Sequence, residues 1–180
     1  ESPDDRLGAW SPDGVWLAFA RDGSEEERGL WLRNPDGVNL VHLTKENDFG
    51  PVWSPNGKHI VFVRVFEGNS DLYLASRLKD GTWQDDVELT RLTQHEEDDL
   101  APAWSPDGRF LAYSHWTSGG TDLVIRNMDT GLSTTVHHVP DEILQIDFDP
   151  AGENVYFIRQ TSQYNAHPWP IPVLGVEEEP

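Results

Sequence analysis

The sequence predicts an all-β chain: a β-propeller segment of about four four-stranded blades, with the fourth incomplete. Three observations predict it. A five-residue turn signature recurs along the chain, its recurrences fall about one blade length apart, and the segments between them repeat the same order of strands and turns.

The signature is Trp10-Ser11-Pro12-Asp13-Gly14, then Trp53-Ser54-Pro55-Asn56-Gly57, then Trp104-Ser105-Pro106-Asp107-Gly108. A decayed copy is Phe148-Asp149-Pro150-Ala151-Gly152. The marker aromatics are 43, 51 and 44 residues apart, within the ~40–50 residues of a propeller blade. Each residue has a mechanical role. Pro12, Pro55, Pro106 and Pro150 preset φ at the second turn position, Asp or Asn suits the third, and Gly14, Gly57, Gly108 and Gly152 permit positive φ at the fourth. The chain reverses and the flanking strands pair as a hairpin. Trp10, Trp53, Trp104 and Phe148 are expected to pack as large apolar bodies between neighbouring sheets.

The elements follow in order. A short strand ends on each marker aromatic. After the turn comes an apolar strand: Val15–Ala20, His59–Val65, Phe110–Ser114 and Asn154–Arg159. A polar loop follows: Arg21–Arg28, Glu67–Ser70, Trp116–Thr121 and Gln160–Asn165. The next strand is Leu30–Arg33, Leu72–Ala75, Leu123–Arg126 and Trp169–Leu174. Tight turns at Pro35-Asp36-Gly37, Lys79-Asp80-Gly81 and Asp129-Thr130-Gly131 lead to closing strands Asn39–Thr44, Glu88–Thr93 and Ser133–His138. The second copy is longer because Trp83-Gln84-Asp85-Asp86 enlarges its last turn, with Trp83 expected to pack locally. The blades run over about 6–47, 48–97, 98–141 and 142–176, the last without its outer strand, and 177–180 is an acidic tail. The whole of 1–180 is one propeller segment.

Composition narrows the function. With 32 acidic against 13 basic residues the formal net charge is −19, so nucleic acid is a poor partner and a basic protein or peptide a better one. The absence of Cys excludes disulfides, thiolate metal sites and Cys nucleophiles. No window has the ~18 apolar residues of a membrane span. No Met opens the chain, and residue 1 is read as a processing boundary, with the chain part of a longer protein. Gly-x-Ser-x-Gly, His-Glu-x-x-His and phosphate-binding Gly-rich loops are all absent, so no catalytic residue and no cofactor is expected in this segment.

The candidate functional feature precedes each turn. Asp5, Asp48, Asp99 and Asp141 lie five to seven residues before their marker aromatics. They are expected in the connections from an outer strand to the next innermost strand, around the channel mouth. Carboxylates there would attract a basic partner or weakly hold a cation such as Ca²⁺ through oxygen ligands. Alternatively each one bonds backbone N–H groups in its own loop. No dedicated metal site is expected: Asp-x-Asp-x-Asp-Gly is absent, and His137 and His138 point to opposite faces of a strand.

The repeats resemble the TolB-like, WD40-like (PD40) propeller family. Gly50-Pro51-Val52-Trp53 and Ala101-Pro102-Ala103-Trp104 resemble the start of its pattern, and Leu43-Thr44 and Leu92-Thr93 its end. His167 to Gly175 resembles its second-strand segment. The resemblance implies rings of six to eight blades, a protein-binding scaffold, and an extracytoplasmic, typically periplasmic, setting. It also extends to propellers that gate a prolyl-oligopeptidase-like or tricorn-like peptidase domain. A spacer on a membrane-anchored protein is a third reading. Four blades would be part of a larger propeller, half of an eight-bladed homodimer, or a tightly closed ring of their own.

Overall fold

In a computed structural model, residues 4–78, 82–85, 87–160 and 169–173 are described. Every regular element among them is a strand, and the strands form four small antiparallel sheets. The chain divides into two compact units, Glu1–Glu96 and Glu97–Pro180.

The first unit holds two four-stranded sheets. Sheet one orders β1 (Asp4–Trp10), β2 (Leu17–Asp22), β3 (Gly29–Arg33) and β4 (Leu40–His42) as a meander. Sheet two does the same with β5 (Asp48–Trp53), β6 (His59–Phe66), β7 (Asn69–Arg77) and β8 (Val87–Arg91). Strand alternation sends Ala18, Ala20, Leu30, Leu32 and Val41 to one face of sheet one. They pack against Trp53, Ile60, Phe62 and Ala75 of sheet two in one buried cluster.

The second unit repeats the plan. Sheet three contains β9 (Asp99–Trp104), β10 (Phe110–Thr117), β11 (Gly120–Asn127) and β12 (Ser133–Val139). Sheet four contains β13 (Glu142–Phe148), β14 (Asn154–Gln160) and β15 (Trp169–Pro172), three strands among the described residues. Ala112, Leu123 and Ile125 pack on Ile146, Val155 and Phe157.

The turns explain the signature. Gly14, Gly57, Gly108 and Gly152 all have φ between 66° and 75°, and each N–H donates at 2.9 Å to the carbonyl three residues back. Ser11 Oγ donates to Asp13 Oδ1 at 2.6 Å and accepts the Trp16 N–H at 2.9 Å. Ser105 and Asp107 repeat this, as do Ser54 and Asn56. In the decayed copy Asp149 takes over both roles. Its carboxylate accepts from Glu153 N–H and Asn154 Nδ2, which is why Ala151 is tolerated where the others have Asp or Asn. The Leu-Thr ending is structural as well. Buried Thr44 and Thr93 accept the Leu30 and Leu72 N–H groups through Oγ1, each at 2.9 Å.

Every inner hairpin carries a β-bulge, between Arg6 and Ala9, Phe49 and Val52, and Ile143 and Gln145 on the inner strands, and opposite Ala112–Ser114 in sheet three. Gly50 and Ala101 occupy the equivalent bulge position with φ of 62° and 50°.

Three sequence expectations need correction. Trp10 is 55% exposed rather than a packed core residue. Trp53 is buried because sheet one covers it, and within the first unit no sheet lies on the Trp10 side among the described residues. Asp5, Asp48 and Asp99 lie in the innermost strands themselves, the last two as first residues, and only Asp141 precedes its strand. Trp116 and Thr121 are strand residues, because β10 and β11 run on to a two-residue tip at Ser118-Gly119. Trp83 is buried and meets Trp53 edge-on at 5.2 Å, the local packing its sequence position implies. The 79–81 turn, most of the 160–165 loop and the acidic tail lie outside the described residues.

Candidate functional site

The four singled-out carboxylates share one structural role. Each pairs with a basic side chain near the far end of the next strand. Asp5 takes Arg21 in a fork at 2.6 and 3.0 Å. Asp48 takes Arg64 at 2.7 and 2.8 Å. Asp99 Oδ1 meets His115 Nδ1 at 2.8 Å. Asp141 Oδ2 lies 3.1 Å from Arg159 Nη1. Opposite residues of adjacent antiparallel strands present side chains on the same face, which is what brings them together. The latch therefore sits at the hairpin end of each sheet, opposite the Ser-Pro-Asp-Gly turn.

The basic partners could have been found in the sequence. Arg21, Arg64, His115 and Arg159 each stand eleven residues after their marker aromatic. An acid five residues before an aromatic and a base eleven after it is the full signature of the latch. The fourth copy departs, with Asp141 two residues early.

Exposure separates the four. The Asp48 and Asp99 side chains are fully buried, whereas those of Asp5 and Asp141 are partly open. The Arg21 hydrogen bonds hold the Asp5 carboxyl below the usual carboxylate range, and Asp5 in turn raises Arg21. Burial works against the Arg64 charge, but the Asp48 bonds outweigh it and the guanidinium is raised. Arg21 lies 5.5 Å over the Phe19 ring and 5.0 Å over Trp31. Arg64 lies 5.6 Å over Phe62 and 4.6 Å over Tyr73. Each guanidinium is thus held between a carboxylate and two aromatic faces.

The hairpin tips beside these latches expose aromatics. Phe66 is 65% exposed at the Glu67-Gly68 tip, where Glu67 and Gly68 both take positive φ. Trp116 is exposed near the Ser118-Gly119 tip. Acidic neighbours include Glu46, Glu67 and Glu96, all exposed.

Four small antiparallel sheets, a turn signature in each and a latch in each define a β-propeller repeat segment. No family model matches the chain. It is 35% identical over 81 residues to a protein TolB homolog of Chlorobaculum tepidum, covering 45% of this chain and 17% of that one. It is 30% identical over 137 residues to the uncharacterized peptidase YuxL of Bacillus subtilis, covering 58% and 21%. The structure of a putative TolB from Agrobacterium tumefaciens matches 97% of the chain and 60% of its own, with a TM-score of 0.73 at 24% identity. The chain is a propeller segment that is similar to TolB proteins in fold and over part of its sequence, and it spans about a fifth of the length of these two curated relatives.

Proposed function

We propose that the chain is a non-catalytic scaffold that presents the hairpin ends of its blades to a protein or peptide of basic character. The repeated acid–base latch carries this reading, because it fixes the hairpin ends of the sheets, and in sheets two and three exposed aromatics, Phe66 and Trp116, stand beside it. Asp5 and Asp141 are the contact carboxylates. Asp48 and Asp99, being buried, serve by holding the strands beneath them. The chain's net charge of −19 favours fast encounter with a cationic segment. A fluorescein-labelled nonarginine peptide bearing one Trp is the probe. It binds the chain at low salt and weakens as salt rises. The double variant Asp5→Asn/Asp141→Asn weakens it several-fold, and unchanged affinity refutes the contact assignment. Calcium at millimolar concentration leaves the melting temperature unchanged, because the ion would have to displace Arg21 from Asp5 and Arg64 from the buried Asp48.

The relationship to YuxL favours a second reading. Here the segment is the substrate-gating part of a larger prolyl-oligopeptidase-like or tricorn-like peptidase. A Gly-x-Ser-x-Gly segment downstream in the same gene supports it, while the segment alone shows no peptidase activity under either reading.

A further inference from the structure

In sheets two and three the latch is half of a longer row. In sheet two Asp48, Arg64 and Asp71 lie side by side on β5, β6 and β7. Arg91 of β8 closes that row at 2.6 Å from the Asp71 carboxylate. In sheet three the register sets Asp99, His115, Asp122 and His138 opposite one another across all four strands. Directly opposite side chains of antiparallel strands share a face, so acid and base alternate along it. His115 Nδ1 lies 2.8 Å from Asp99 Oδ1, and His138 Nδ1 lies 2.6 Å from Asp122 Oδ1. Asp71 and Asp122 each stand eighteen residues after their marker Trp, as Arg64 and His115 each stand eleven after it. In sheet one the row stops at Arg21, which faces Gly29. The two full rows differ in their bases: both guanidiniums of sheet two are imidazoles in sheet three.

We propose that this row makes the hairpin end of sheet three a pH-sensitive clasp, tight when His115 and His138 carry a proton and loosened when they do not. A guanidinium keeps its charge throughout, whereas an imidazole changes charge between about pH 5 and 8. With both imidazoles charged, two cations balance two carboxylates. With both neutral, two carboxylates remain on one face, Asp99 fully buried and Asp122 largely so. The clasp's contribution is therefore present in mild acid and is lost as pH rises. His115 faces Asp99 on β9 and Asp122 on β11, and His138 faces Asp122. His137 lies on the other face, beside Phe157. The segment entering β9 adds His95, Glu96, Glu97 and Asp98 in sequence. What the clasp holds is the β10–β11 tip with its exposed Trp116. The His138 ring borders that tip, since a Cβ on Gly119 would come within 3.9 Å of its Cε1. The effect is local to this end of one sheet.

Amide hydrogen exchange of the 180-residue chain, read by NMR as protection factors from about pH 5.5 to 8, tests the clasp. The two sheets supply matched reporters. The Trp116 N–H donates to the Asp98 carbonyl at 2.8 Å, and the Val65 N–H donates to the Asn47 carbonyl at 2.9 Å. Protection at Trp116 is expected to fall about three- to tenfold as pH rises over that range, while Val65 keeps its own. Repeating the comparison in His95→Gln takes that imidazole out of the reading. His115→Arg/His138→Arg makes Trp116 as indifferent to pH as Val65. The reciprocal Arg64→His/Arg91→His confers the dependence on Val65, so the clasp stays testable where one of the two variants does not fold. Protection at Trp116 that ignores pH overturns the proposal. So does an equal change at Val65, or a change at Trp116 that persists in His115→Arg/His138→Arg. No partner enters this measurement, so the clasp and the scaffold reading fail separately.

Discussion

Replacing Arg64 with Met is the sharpest probe of the latch. The Asp48 side chain is 0% exposed and that of Arg64 15%. The substitution keeps an apolar stem over Phe62 and Tyr73 but removes both hydrogen bonds to the carboxylate. A buried carboxylate is left without its cation, which costs about 3–5 kcal/mol. Arg21→Met makes the same change in sheet one, where Asp5 is half exposed and water replaces the lost partner, so the cost there is about 1 kcal/mol or less. Urea unfolding followed by Trp fluorescence measures both. Adding Asp48→Asn to Arg64→Met removes the stranded charge and recovers part of the loss, and the double-mutant cycle isolates the coupling. Equal costs at Arg21 and Arg64, or no recovery in the double variant, would refute burial as the source of the latch's strength.

Three further outcomes follow from local geometry. Ala101→Gly stabilises the chain by about 0.5–1 kcal/mol, because Ala101 holds a φ of 50° that costs an L side chain energy and Gly none; the urea midpoint rises. Thr93→Val removes the oxygen that accepts the buried Leu72 N–H and lowers stability by about 1–3 kcal/mol in the same assay. Stability falls with acid in two stages, read from urea midpoints at successive pH values. His59, lowered by burial, contributes above its unfolded value of about 6.5, and that contribution is lost as pH falls through the lowered value. Asp5, Asp13 and Asp149, lowered chiefly by hydrogen bonds from Arg21, Ser11 and Asn154, contribute above about pH 4 and lose that contribution below it. In Asp107 burial pushes upward but the Ser105 and Arg109 bonds prevail, so it joins the second stage.

Much of the architecture is legible in the sequence, because turn chemistry is local. The Ser-Pro-Asp-Gly turn needs only residues within five positions of one another, and the structure forms it in all four copies. The latch is half legible. Its acids stand out through their place before each Trp, while its bases are separated from them by sixteen residues or more and become partners only once the hairpin pairs. The exposure of Trp10 is not legible at all. The same five letters surround Trp10 and Trp53, and burial depends on whether another sheet lies alongside. Trp116 shows a further limit. A polar stretch reads as loop, yet the continued pairing of His115 with Asp122 and Trp116 with Thr121 carries the strands past it.

The bulge in each inner hairpin has a consequence for how the repeat is assembled. Turn and latch fasten the two strands at opposite ends, and the lengths between the fasteners disagree. Five steps separate Asp5 from Trp10, but four separate Leu17 from Arg21, and the second and third hairpins have the same surplus. A regular ladder can satisfy one fastener or the other. The surplus residue reconciles them, so the hairpin has one alignment in which both close, and sliding a strand by a single place opens at least one. Each copy therefore carries its own alignment gauge and finds its register without instruction from its neighbours.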